Sequence, residues 1–320
     1  MKFTTALLFA TAIHAHAADA PLVGDEPILV PDSKGGFDFL EMDNTNHRLL
    51  ADHTGNGTLD VFDADSGKLL KHIKTGAAQG VAVDEKAGKY FVSVSKEKVL
   101  AIIDSKTLEK TGEVKTSGPG DALALDTKRG NVYVGHDDEK ELWVIDTKAQ
   151  KLATTIAIPT GPEYVLYDAT TDRIFQNIKT TAEVVVIDPA TNTIKATWST
   201  APALKPHGLA LDEKTQHLFA AGANGKLVMM DAKDGKVLAT VDIASGVDQI
   251  AFDAGNQRVY CASGSGAISV VQETATGMTS LGNVKTNPGA KTVTVDAKTH
   301  AVWIAYADKE ASYVRRFQAK

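Results

Sequence analysis

Short apolar runs, each closed by an aspartate, recur along the chain at a nearly constant interval. In order they read FLEMD, VAVD, LALD, VLYD, LALD, IAFD and VTVD, ending at Asp43, Asp84, Asp126, Asp168, Asp212, Asp253 and Asp296. Successive aspartates lie 41, 42, 42, 44, 41 and 43 residues apart. Each is followed by a turn and a second run (RLLAD, KYFVS, NVYVG, RIFQN, HLFAA, RVYCA, AVWIA). A third run follows in turn (LDVFD, LAIID, LWVID, VVVID, LVMMD, ISVVQ, YVRRF), and a fourth, such as KLLKHIKTG or KLATTIAIPTG, closes the unit. Four short strands in about 42 residues make one blade, so seven units predict an all-β, seven-bladed β-propeller. Unit seven carries three strands of its own. The strand-like Pro27–Val30 (PILV) ahead of unit one is expected to complete it, closing the ring without an open sheet edge. Residues 21–320 therefore read as one propeller domain.

Aligning the units separates architecture from chemistry. The aspartate that ends the first strand occurs in all seven, as expected of a turn residue bonding its own backbone. The aspartates ending third strands, Asp63, Asp104, Asp146, Asp188 and Asp231, read the same way. Arg48, Arg173 and Arg258 lie five residues after the first-strand aspartate and are expected to pair with it; His217 holds the same slot. Large apolar residues sit one and three positions before that aspartate (Val81 and Val83, Leu209 and Leu211). Mostly small ones sit two and four before it (Gly80 and Ala82, Gly208 and Ala210). With a period of two, each blade presents one bulky and one small face, which lets neighbours interdigitate.

Units such as GPEYVLYDATTDRIFQNIKTTAEVVVIDPATNTIKATW resemble the YVTN-repeat (YncE-like) propeller family. Its pattern runs Gly-x-x-Pro-x-Gly-Val-Ala-Val, a turn, Tyr-Val-x-Asn, then Val-x-Val-Ile-Asp. The resemblance spans nearly all of residues 21–320 and implies the fold, since the matching residues build the blade. The Tyr-Val-Thr-Asn tetrad appears only as variants, such as Tyr133-Val134-Gly135-His136. Trp-Asp repeat ends, sialidase-type Asp boxes and the adjacent cysteine pair of quinoprotein propellers are missing.

The first residues, MKFTTALLFATAIHAHAADA, have the parts of a secretory signal: Lys2, the apolar Phe3–Ile13, and Ala15-His16-Ala17 as a cleavage site. Residues 1–17 are expected to be removed, with Ala18-Asp19-Ala20 allowing a cut as late as residue 20. The apolar run is too short to span a bilayer, which needs about 20 residues. This predicts an exported protein, periplasmic or secreted, without a membrane span and monomeric. The single cysteine, Cys261, sits in the apolar run RVYCAS and reads as a buried small hydrophobe. The formal net charge of −6, without a basic cluster, argues against nucleic-acid backbone binding.

One position breaks the architectural rule. Five residues before each aspartate the chain has Asp38, Gln79, Asp121, Glu163, His207, Asp248 and Lys291, all polar where a strand should begin. Because the first strand of a blade lies innermost, these seven should rim one mouth of the central channel. Second-strand ends carrying His53, His136 and Tyr306, with loop residues Asp137, Asp138 and Asp308, are expected on the same face. Converging carboxylates raise one another's pKa unless a cation sits among them. Asp121, Glu163, His207 and Asp248, helped by His53 and His136, are thus candidate ligands for calcium, magnesium, manganese or zinc. A small cationic or hydroxylated ligand is the other candidate, and a solvated rim with no ligand is the plain alternative.

Three functions remain in competition. The first is a binding protein holding a metal ion, a small molecule or a protein segment, or docking a protein partner. The second is a metal-dependent lactone or ester hydrolase in which an acid or His207 moves a proton. The third is nucleic-acid binding, as proposed for YncE-like proteins. Short loops between second and third strands (TGNG, SKEK, ANGK, GSG) and the absence of Gly-x-Ser-x-Gly and HExxH motifs weigh against the hydrolase.

Overall fold

The computed structural model describes residues 20–137 and 139–320, which form strands and turns without a helix. The expected signal segment 1–17 and loop residue Asp138 lie outside the described residues. Six four-stranded antiparallel sheets follow one another, and a seventh combines Thr292–Val295, Val302–Ala307 and Ser312–Ala319 with two N-terminal strands. The innermost strands of blades 1 to 6 are Phe39–Asp43, Ala78–Asp84, Gly120–Asp126, Pro162–Asp168, Pro206–Asp212 and Val247–Asp253. Each touches the next, and Thr292–Val295 of blade 7 touches Phe39–Asp43 of blade 1, so the ring is closed. The protein is a seven-bladed β-propeller.

The turn aspartates do what their repetition implies. Asp43, Asp84, Asp126, Asp168, Asp212, Asp253 and Asp296 each accept a backbone N–H two or three residues on, at 2.8–3.0 Å. The arginine pairing holds only in blade 4, where Arg173 lies 3.6 Å from Asp168. Arg48 instead donates to Ser105 O and Tyr90 Oη on the neighbouring blade, and Arg258 donates to Gln272. A long guanidinium opposite a turn can reach across the blade boundary, as Arg48 does to the Ser105 carbonyl and Arg173 to the Ala232 carbonyl. His217 takes the arginine slot and pairs with buried Glu273 at 2.5 Å.

Burial is organised between blades. The apolar core divides into seven clusters, each drawn from two adjacent blades, the last joining blade 7 to blade 1. Bulky residues of one face fill the small face of the next, as the period-two alternation requires. Cys261 is 1% exposed inside one such layer, where burial pushes its thiol pKa up.

Closure is more elaborate than one strand. Ile28–Val30, within the expected Pro27–Val30, pairs with Ser312–Val314, and Leu22–Gly24 adds a further pairing with Phe317–Ala319. The outer strand of blade 7 is thus split in two. The segment after it is tied to blade 1 by Asp60, whose carboxylate, wholly buried, is 2.7 Å from both His53 Nδ1 and His72 Nδ1 and accepts Thr58 Oγ1. The far nitrogens of these histidines bond the carbonyls of Gly35 (2.9 Å) and Pro31 (3.0 Å). Removing Asp60 leaves the buried His53 imidazole, the half-buried His72 imidazole and the Thr58 hydroxyl without this acceptor. Asp60→Ala is expected to lower unfolding free energy by about 3–5 kcal/mol, measured by urea denaturation.

Candidate functional site

The strand starts do not lie flat. In blades 2 to 6 the pairing of first and second strands slips where the odd polar residue sits. Ala78 pairs with Val94 and Gly80 with Ser93, leaving Gln79 unpaired, and Pro206 and Gly208 likewise leave out His207. The breaks at Gly120/Leu123, Pro162/Val165 and Val247/Ile250 enclose Asp121, Glu163 and Asp248. Such a bulge re-aims a side chain that regular pleating would turn into the blade face. Small neighbours make room for it. A Cβ on Gly208 would meet Asp248 O at 3.0 Å, and one on Gly80 would meet Asp121 O at 3.2 Å.

All seven residues of the polar ring line one cavity of about 210 Å³, together with Asp137, Phe39, Ala122, Tyr164 and Gln249. Five carboxylates (Asp38, Asp121, Asp137, Glu163, Asp248) therefore share it with Lys291 and His207. Ion pairs run around the wall. Lys179 Nζ is 2.5 Å from Glu163 Oε1, and Glu163 Oε2 is 3.1 Å from His207 Nδ1. His207 Nδ1 is 3.3 Å from Asp248 Oδ1, and Lys291 Nζ sits 2.7 Å from both Asp248 Oδ2 and Asp38 Oδ1. Although both oxygens are within ion-pair reach, His207 Nδ1 makes no directed hydrogen bond to either. Gln79 Oε1 is also buried without a hydrogen-bond partner.

The charges divide by their company. Asp248 and then Glu163 hold the His207 imidazolium, lifting its pKa to about 9 against the opposing effect of burial. Burial pushes Asp248 upward, but His207 and Lys291 outweigh it and leave its pKa below the ordinary value. Asp38 is raised by burial despite Lys291. Lys291 is raised because Asp248 and Asp38 overcome burial. Asp121 has no ion pair or side-chain hydrogen bond among the described residues. Burial, with Glu163 and Asp38 nearby, holds its pKa well above the usual carboxylate range.

The other expected rim residues are elsewhere or differently engaged. His53 is completely buried in the closing latch, stacked on Phe37 with ring centroids 3.9 Å apart, and does not line the cavity. His136 lies outside the lining too, its ring 4.5 Å from Trp143 and its Nδ1 3.4 Å from Glu141. Neither joins a cluster of candidate metal ligands among the described residues, since second-strand ends stand behind the first strands. Tyr306 stacks on Tyr313 at 5.2 Å, and Asp308 accepts the N–H groups of Glu310 and Ala311. Asp121 lines the cavity without joining the tight group. Glu163, His207 and Asp248 each offer a donor atom, all within 4.8 Å of one another.

Phe39, Tyr164, Gln249 and Lys179 were not foreseen. The first three occupy the position four before the turn aspartate, where the other blades carry Gly80, Ala122, Gly208 and Thr292, so their size was the legible signal. Gln249 also joins blades, its side chain bonding Leu40 N, Leu40 O and Val293 N at 2.9–3.2 Å. Lys179, just beyond a second strand, has no periodic signal.

No protein-family model matches the chain, and no curated protein matches it in sequence. Among solved structures 1823 chains match in fold, so the likeness marks an architecture that serves many activities. A chain of Kuenenia stuttgartiensis hydrazine synthase superposes with a TM-score of 0.77 at 13% identity, covering 89% of this chain and 96% of that one. A chain of a mitotic checkpoint complex gives 0.80 at 12%, covering 100% and 98%. The RRP9 WD40 repeats give 0.78 at 10%, covering 95% and 98%.

Two outcomes follow from the charges. The raised pKa of His207 stabilises the fold fully below its ordinary value near 6.5, and this is lost as pH rises through about 9. The unfolding free energy lost on His207→Gln should therefore be on the order of 3 kcal/mol at pH 6 and fade by pH 10, as read from urea titrations. Asp121→Asn removes a carboxylate that burial and neighbours disfavour. It should raise the urea midpoint at pH 8, with the gain vanishing at acid pH where the native carboxyl is protonated.

Proposed function

We propose that this protein is a binding protein whose channel mouth holds a divalent transition-metal ion, manganese or zinc, on Glu163, His207 and Asp248. The carrying observation is how the two carboxylates divide their oxygens. Glu163 gives Oε1 to Lys179 and turns Oε2 to His207 Nδ1; Asp248 gives Oδ2 to Lys291 and turns Oδ1 to the same nitrogen. The lysines thus act as outer partners that hold the far oxygens and orient the near ones toward the ion. One imidazole with two carboxylates suits manganese or zinc better than calcium, which takes oxygen donors. A cavity of about 210 Å³ has room for an ion and a few waters. The donors stand on bulges of three adjacent blades, so little ordering is required on binding.

An ion here would replace the proton on His207, so that proton must leave. The ion would supply positive charge among five carboxylates, relieving their repulsion. A wider docking role for a protein partner draws support from fold neighbours such as the chain of a mitotic checkpoint complex, a likeness of fold alone.

Titration calorimetry with manganese and zinc should give a 1:1 complex at micromolar affinity or tighter, with calcium and magnesium far weaker. His207→Ala and Glu163→Gln should each weaken it at least tenfold. Binding no tighter than millimolar for both ions, or unchanged affinity in both variants, would sink the metal reading.

A further inference from the structure

The central channel holds a second, larger cavity on its opposite side. Phe39 and Tyr164, with ring centroids 5.5 Å apart, line both spaces and stand between them. The acidic mouth is built from the starts of the innermost strands. The second cavity, of about 980 Å³, runs along their later residues to the turns of blades 1 to 4. That volume is at the upper end of what drug-sized ligands occupy, where the mouth suits an ion.

Its wall follows the repeat, with one departure. Val81, Val83, Leu123, Leu125, Leu166 and Tyr167 give it an apolar surface. Two residues before the turn aspartate, the other six blades carry Ala82, Ala124, Leu166, Ala210, Ala251 and Thr294, whereas blade 1 carries Glu41. Of the lining residues within the innermost strands ahead of their closing aspartates, Glu41 alone is charged. Among the described residues its carboxylate has one hydrogen bond, a local one accepted from the Met42 N–H at 2.9 Å, and no cation pairs with it. A half-buried carboxylate without a counterion costs stability and contributes nothing to the blade. Burial moves its pKa up to about 7, in keeping with that isolation.

We propose that this cavity is a binding site for an apolar amine, whose ammonium pairs with Glu41 while its hydrocarbon or aromatic body lies on Val83, Leu125, Leu166 and Tyr167. An anionic ligand fits less well. Of the cations that line it, Lys128 is engaged with Asp172 and Arg129 with both Asp126 and Asp172, while Lys86, Lys89 and Lys148 share the lining with Asp84 and Glu85. All five lie outside the innermost strands that carry the apolar wall. The site is independent of the metal reading, since it shares only the partition of Phe39 and Tyr164 with the mouth.

Three probes of one shape and different charge test this: tryptamine, the neutral alcohol tryptophol, and indole-3-acetate, titrated calorimetrically into the full chain at pH 8. Tryptamine should bind at least tenfold more tightly than either of the others. Glu41→Ala, the residue four other blades use, should abolish that preference. Leu166→Trp, which narrows the cavity at the apolar wall beside the proposed amine body and leaves Glu41 in place, should weaken all three probes at least tenfold. The proposal is overturned if none of the probes binds, if indole-3-acetate binds best, or if Leu166→Trp binds like the native chain. It is equally overturned if the amine preference survives Glu41→Ala and disappears in Asp248→Asn, which would put the amine at the acidic mouth.

Discussion

Everything the ring does depends on strands from its two ends pairing in one sheet. Leu22–Gly24 and Ile28–Val30 hydrogen-bond to Ser312–Ala319, and this pairing converts a row of blades into a closed circle. A row would leave an unpaired sheet edge and one uncovered apolar face at each end. With the circle closed, all seven layers between blades are filled, including the one that joins blade 7 to blade 1. The latch of Asp60 with His53 and His72 then fastens the connecting segment through the carbonyls of Gly35 and Pro31. A buried carboxylate with three donors and two imidazoles with two acceptors each form a network that is stable only when complete.

Closure also fixes the electrostatics of the channel. Seven innermost strands held at set spacing bring five carboxylates into about 210 Å³, a concentration of charge that an open chain would disperse. The protein meets that repulsion unevenly. Lys179, Lys291 and His207 balance Glu163, Asp248 and Asp38 in a chain of ion pairs, while Asp121 is left with its pKa raised. The stiffness of the blades maintains this imbalance, because relaxation would require breaking strand pairing on both sides. The ionic mouth and the largely apolar second cavity are kept apart by the aromatic pair Phe39 and Tyr164, which lets one channel offer two distinct environments.

The blade architecture was readable in the chain because its causes are local. Period-two alternation, an aspartate that satisfies the backbone N–H groups of its own turn, and a unit of about 42 residues each act within a few residues of themselves. Repetition sharpened the signal further, since any residue departing from the seven-fold pattern stood out. The polar ring from Asp38 to Lys291 was found that way. The exceptions in size at Tyr164, Gln249 and Glu41 carried the same information.

What the chain could not reveal is set between blades. His53 and His136 match the rim in sequence position, yet they are drawn into contacts with Asp60, Phe37 and Trp143. Lys179 has no repeat to mark it and still completes the Glu163 pair. The bulges that swing Gln79, Asp121, Glu163, His207 and Asp248 into the channel arise from how first and second strands pair. Sequence alone determined the blades, their number and the polar position at each strand start. The closed ring decided which of those side chains meet, because distances across a channel are fixed by packing among residues up to 253 positions apart, as Asp38 and Lys291 are.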